Sequence, residues 1–573
     1  VAAAWQAALS SLAGASVQVE SPRAGVFDVT FGGVLSGRNL AAITLVTSSL
    51  TASTAVAGVS EVTPGRGEAI VLDNLGNDFQ GNVNIVAATE VKLVDVNSLS
   101  VSGSSNQDWI LQTGGALTLD TSVVGHDLKI LGAAGVTLGD VSVKGQLVMT
   151  STGDVSATGA LAVTGASSLT AIGHDINLSN LANQWQGAVS VSARNVNLFD
   201  AKDLTFSGTV TGNLVLGTSG ALTLGSTTVT GTTDLSSVGL ITDAGALTLN
   251  GVVSLDAGGY DVIWDAANNF GAAVHAVHVQ NLRLNDVNAL DLGNVSVTGN
   301  LNVSTLGALT DSGTLKVLGS SVLAAGVVGD VTLNSALNDF VGSVAITLAR
   351  HVTLVDATAL DLAASTIDRT LAVTAGELLS DSGALLVTGA SVLQARDIVL
   401  DHAGNDFGTV ALTARHATLN DLDDLDLGLS ALTGNLVLSA GGAVTDSGAL
   451  AIAGSTQLTV AAGYDITLNN ANHLTGGIAI AGARDVTLND TGAVNFGRMQ
   501  IGRDLIVTTG GTISDSAAIE VLGRMDLTIS GSGSSGRDIV LDESGNNFVG
   551  TMSLSAYNAQ VRDMNAMVLG VVN

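Results

Sequence analysis

Carboxylates are the residues of this chain with the greatest capacity for chemistry. Asp and Glu number 50 against 20 Lys and Arg, a formal charge of −30 at pH 7. The densest group is Asp421, Asp423, Asp424 and Asp426. Its oxygens suit calcium, a hard cation that takes carboxylate ligands in flexible geometry. Alternation along a strand divides these four between opposite faces, and the glycine-rich calcium nonapeptide is not repeated here. They are therefore weak calcium candidates, set against diffuse cation binding by an acidic surface. His275 and His278 form an H-x-x-H, but strand positions i and i+3 face opposite sides and do not share a metal. No H-E-x-x-H, G-x-S-x-G or P-loop occurs. A hydrolase or lyase site needs two or three acids gathered once on one face. The irregular stretch 96–175 is where such a site would have to lie, and it reads as poor in carboxylates with no paired acids. No catalytic residue, no cofactor beyond possible calcium, and no enzyme activity is expected.

The remaining polar residues recur. An Asn with a Phe, Trp or Leu two positions on stands at Asn77, Asn183, Asn268, Asn338, Asn405, Asn472 and Asn546. The first two steps between them are long, and the last four are nearly equal. G-x-D places Asp127, Asp175, Asp261, Asp465 and Asp538, with Ala in place of the Gly before Asp397 and Asp330 in a shortened copy. L-x-D places Asp95, Asp200, Asp286, Asp356, Asp421 and Asp490, and a T/S-D turn places Asp243, Asp311, Asp381, Asp446 and Asp515. Four columns sharing one period mark a repeat protein. A residue repeated many times is more readily structural than catalytic. The Asn column is expected to form a structural ladder at a corner, where Asn tolerates left-handed geometry and amides stack coil on coil. The aromatic beside it is expected to plug the core. Arg194, Arg350, Arg415 and Arg484 share one slot just before a strand and should pair with nearby Asp on the same surface, as exposed pairs of little energetic weight.

These columns need elements to hold them. Between them run short segments such as Asp397-Ile398-Val399-Leu400-Asp401, apolar and polar in alternation, punctuated every few residues by Gly, Asn, Asp and Ser. Gly is 70 of 573, Pro only 2, and aromatics 3%. Strands this short, without hairpin turns and with stacked aliphatics, specify an all-β chain: a right-handed parallel β-helix over 67–573, in repeats of ~67 residues and about three coils of roughly 22 residues each. Residues 1–66 break the pattern. Ala2–Leu9 reads as a short helix, and Val17–Val19 and Val26–Phe31 as strands before a Gly32-Gly33 turn, a small α+β module or cap. The chain stops at Asn573 within a repeat, so further segments of the same chain or self-association through an open coil are expected partners.

The negative charge argues against nucleic acid. No apolar run approaches the ~20 residues of a spanning helix, so membrane insertion is not expected. With no Cys, disulfides and thiolate metal sites are excluded. The start at Val1 lacks the basic region of a signal peptide and reads as an interior cut.

The repeats ARDVTLND, TGNLVLSAGGAVTDSGAL and GNDF resemble the long shafts of filamentous-haemagglutinin-like bacterial adhesins, and 1–66 resembles small modules interspersed in giant surface proteins. The resemblance implies an extracellular, bacterial-surface location and a structural shaft supporting cell attachment and biofilm, with a host or neighbouring-cell ligand. The rival readings are a self-assembling extracellular filament or sheath subunit joined end to end through 1–66, and a polysaccharide-degrading β-helix enzyme.

Overall fold

A computed structural model describes residues 15–23, 26–33, 69–530 and 536–573. The expected helix at 2–9 lies outside them. The chain divides into two compact units, Val1–Ala272 and Ala273–Asn573. Among the described residues there is no helix, and hence none long and apolar enough to cross a membrane.

In the first unit, Ala15–Arg23 and Val26–Gly33 pair as an antiparallel hairpin, with an irregularity between Glu20 and Arg23. Everything described from Ile70 onward in that unit is parallel β-solenoid, as is the second unit. Short strands pair with strands one coil away: Ile70 meets Val91, Val189 meets Phe206, Leu301 meets Ser321 and Ser321 meets Val344. Inward positions carry mostly aliphatic side chains, and outward ones Thr, Ser, Asn and Asp, as the burial alternation of Met525–Ile529 shows. β-branched and small polar residues fit such a pleated surface, and the coil-to-coil ladder satisfies the backbone groups. Trp264 and Phe270 stack inside the first unit, ring centroids 5.7 Å apart. Where a strand bulges outward, the next coil comes too close for a side chain. A Cβ on Gly208, at φ 149°, would lie 2.0 Å from the carbonyl oxygen of Val191.

The pairing registers show how the sequence repeat maps onto the coils. In the second unit Leu282 stacks on Leu301, Ser321 and Val344, three coils in all. The counterpart of Leu282 in the next repeat is Val352, which opens the following strand. Val352 stacks on Leu371, Ser391 and Val410, and its counterpart Ala417 is again one strand further. The same holds from Ala417 through Leu436, Thr456 and Ile478 to Val486. In the first unit the long step obeys the rule with two added coils. Val91 leads through Trp109, Leu128, Leu147 and Ser167 to Val189, and Val196 follows on the next strand. A repeat is thus three coils and one strand. A coil is therefore shorter than one third of the repeat, and the remainder makes up the extra strand.

Candidate functional site

Three of the four sequence columns meet in one recurring node. Asn268, Asn338, Asn405, Asn472 and Asn546 are fully buried. Each amide nitrogen donates to a T/S-D carboxylate of the preceding coil: Asn268 to Asp243 at 2.7 Å, Asn338 to Asp311 at 2.6 Å, Asn405 to Asp381 at 2.6 Å, Asn472 to Asp446 at 2.7 Å and Asn546 to Asp515 at 2.6 Å. Each amide oxygen accepts a backbone N–H of that same coil, four residues beyond the Asp, as Leu315 N–H to Asn338 at 2.9 Å. The carboxylate also accepts backbone N–H groups from the turn leading into the Asn, such as Asn334 at 2.9 Å and Ser335 at 3.1 Å on Asp311.

The L-x-D carboxylate closes the node from the other side. One oxygen of Asp356 accepts the N–H of Phe340 at 2.7 Å, and the other accepts the N–H of Thr358, also at 2.7 Å. Asp95, Asp200, Asp421 and Asp490 repeat the arrangement with Phe79, Trp185, Phe407 and Leu474. Burial lifts these five carboxyls above the ordinary range, and the amide donors offset part of the rise; Asp421 is raised to about 6.

The expected stacking of Asn on Asn does not occur at Asn77, Asn183, Asn268, Asn338, Asn405, Asn472 or Asn546. Successive motifs are separated by more than three coils, and each amide is consumed by an Asp or by backbone. Asn77 and Asn183 lack the Asp and donate instead to the carbonyls of Leu72 and Leu178. For Asn183 the reason is visible: Ala157 stands four residues before Leu161, whose N–H meets Asn183 Oδ1 at 2.8 Å, and so occupies the slot of Asp243. Ala157→Asp is therefore expected to complete the node with the Asn183 amide and to raise stability by about 1 kcal/mol, a charge-assisted bond net of desolvation. Urea unfolding of the two proteins checks it, and a lowered midpoint would contradict the assignment.

The calcium candidates do not converge. Asp421 is buried and bound to the Phe407 and Asp423 amides. Asp424 accepts the N–H of Ala443 at 2.6 Å. Asp426 accepts the hydroxyls of Thr409, Thr445 and Ser447. Asp423 is exposed. The run follows the chain around a corner, so the side chains diverge. His275 accepts the N–H of Asn294 at 2.9 Å, while His278 sits at φ 49° in a bulge, so the H-x-x-H does not close on a metal either.

The Arg slot is a bridge between coils. Arg194, Arg350, Arg415 and Arg484 reach Asp175, Asp330, Asp397 and Asp465 one coil earlier, at 2.7, 2.8, 2.6 and 2.6 Å. The guanidinium holds Asp175 down to about 2. Each Arg stands just before its strand, as the sequence column implied, and reaches across to the acid at the start of the coil before. One group of possible metal ligands comes together among the described residues, and the sequence had given no sign of it: Asp108, His126 and Asp127, with ligand atoms within 4.8 Å of one another. Asp108 and His126 lie one coil apart, so their meeting is visible only once the coil length is known.

Comparison with known proteins adds a family. No characterised protein and no solved structure gives a match. Eight segments match repeats of unknown function (DUF5649): residues 14–86, 125–192, 193–237, 211–277, 279–347, 349–414, 414–481 and 483–555. The first of them runs across the boundary expected between 66 and 67. Together they cover well over half of the chain, which therefore belongs to the family of the DUF5649 repeats.

Proposed function

We propose that this repeat solenoid is a structural shaft segment of a large secreted bacterial surface adhesin, displayed outside the cell and supporting attachment and biofilm, with no catalysis of its own. The observation that carries the reading is the fate of the repeated polar residues. The Asp and Asn columns, the groups best able to do chemistry, are spent on backbone and side-chain donors of the neighbouring coil. What recurs along the chain is a clamp between coils, and a chain of such clamps bears load and sets distance. The outward Thr, Ser and Asn rows and the acidic surface suit solvent and resist self-adhesion. The resemblance of the repeats to haemagglutinin-type shafts points the same way.

The test uses producing cells. Antibody raised against residues 273–573 is expected to label them without permeabilisation. Removal of the coding sequence is expected to reduce attachment and biofilm, while removal of residues 414–481 alone leaves labelling intact. Labelling only after permeabilisation, or release of products from polysaccharides by the purified protein, would overturn the proposal.

A further inference from the structure

The Arg bridge frames the one cluster that departs from it. Trp109 pairs with Leu128, so Asp108 and His126 stand where Asp175 and Arg194 stand around Ile176 and Val196. At this position an imidazole replaces the guanidinium. Its Nδ1 lies 2.7 Å from Asp108 Oδ1 and 3.5 Å from Asp127 Oδ1. His174 lies in the first unit too, 3.5 Å from Asp154, but the carboxylate beside it, Asp175, is already taken by Arg194. Asp127 has no such partner, because Gly145 occupies the Arg position of the following coil and Asp127 accepts the Gln146 N–H there. Among the described residues, no Lys or Arg is within ion-pairing distance of Asp108 or Asp127. Lys129 is near enough to be felt by Asp108 without reaching it.

We propose that Asp108, His126 and Asp127 bind a divalent transition metal ion, of the zinc class, in the bridge position that a guanidinium fills elsewhere. Two carboxylates and an imidazole suit such an ion better than calcium, which avoids nitrogen. Ligand atoms about 2.1 Å from a metal sit roughly 3.0–3.4 Å from one another at tetrahedral or octahedral angles. The observed separations, from 2.7 Å to at most 4.8 Å, bracket that range, and the half-exposed His126 ring can adjust. Water completes the shell on the solvent side. The ion would tie two adjacent coils at the part of the chain that carries two extra coils between Asn77 and Asn183.

Equilibrium dialysis of the intact chain against micromolar Zn2+ with millimolar Ca2+ present reads the site. One saturable Zn2+ per chain is expected. His126→Arg, which installs the group that fills this slot at Arg194, Arg350, Arg415 and Arg484, is expected to keep the fold and lose that equivalent, as is Asp108→Asn. His174→Ala is expected to keep it. Absence of a saturable equivalent in the unaltered chain, or its retention in both His126→Arg and Asp108→Asn, would overturn the proposal.

Discussion

Replacing Asn338 with Asp is expected to destabilise the second unit by about 3 kcal/mol at pH 7 and by far less at pH 4, the larger figure being the low end of what an uncompensated buried charge costs. Asn338 is fully buried and gives its amide N–H to Asp311 at 2.6 Å while accepting the Leu315 N–H at 2.9 Å. The new carboxylate keeps the acceptor but turns a donor into a second negative oxygen at the same place. Two carboxylates so close cannot both ionise, and the Asp311 oxygens already accept the Asn334 and Ser335 amides. At pH 4 one proton shared between the two oxygens restores a hydrogen bond. Asn338→Ala separates the effects, since it loses the bond and strands the Leu315 N–H at every pH, for about 2–3 kcal/mol. A solenoid opens locally, so the readout is hydrogen exchange at Leu315 and Asn334, corrected for intrinsic rates, beside urea unfolding. An equal loss at both pH values for Asn338→Asp would show that the contact is not the charged one described.

Stability of the unaltered protein is expected to rise as pH falls from 8 to about 5. Asp95, Asp200, Asp356, Asp421 and Asp490 have folded-state pKa values above the ordinary 3.8, with burial as the leading cause. Between the unfolded and folded values the folded chain holds more protons. The stabilisation is complete below the unfolded value and disappears as pH rises through the folded one. For Asp421, raised to about 6, the difference is worth about 3 kcal/mol. Neutralising part of a −30 charge acts in the same direction. The bridge carboxylates have the opposite sign: Asp175, Asp330 and Asp397 are depressed, so their contribution is present above 3.8 and lost below it. Calorimetric Tm should therefore pass through a maximum near pH 4, where the first contribution is nearly complete and the second begins to be lost. In Asp421→Asn, which places an amide NH2 against backbone donors, Tm should drop and the slope between pH 5 and 8 should flatten. A Tm that is level or falls from pH 8 to 5 in the unaltered chain would count against the buried carboxylates as the source.

Much of this is legible in the sequence. Alternation and turn residues specify parallel coils, and the common period of the Asn and Asp columns specifies a repeat. The pairing of Arg194, Arg350, Arg415 and Arg484 with the G-x-D acids follows from their nearly constant offset. Two things are not legible. The Asp243–Asn268 and Asp515–Asn546 contacts span different lengths of chain, because loops of different length intervene, and a fixed spacing does not reveal them. The Asp108–His126 meeting is a coil apart and happens once, so no repetition advertises it. The amide ladder expected at the seven Asn positions fails for a related reason. Identical residues lie one above another only when a repeat holds a whole number of coils, and here each repeat carries a strand more.

The extra strand in every repeat makes the second unit behave as an indexed screw. At roughly 4.8 Å per coil, gain or loss of one repeat moves whatever lies beyond it by about 16 Å and also turns it by one strand position around the axis. Recombination between such similar repeats therefore changes the direction in which a distal surface points as well as its reach. Three repeats together make about ten coils and return the original orientation, so changes in multiples of three alter length while conserving aim.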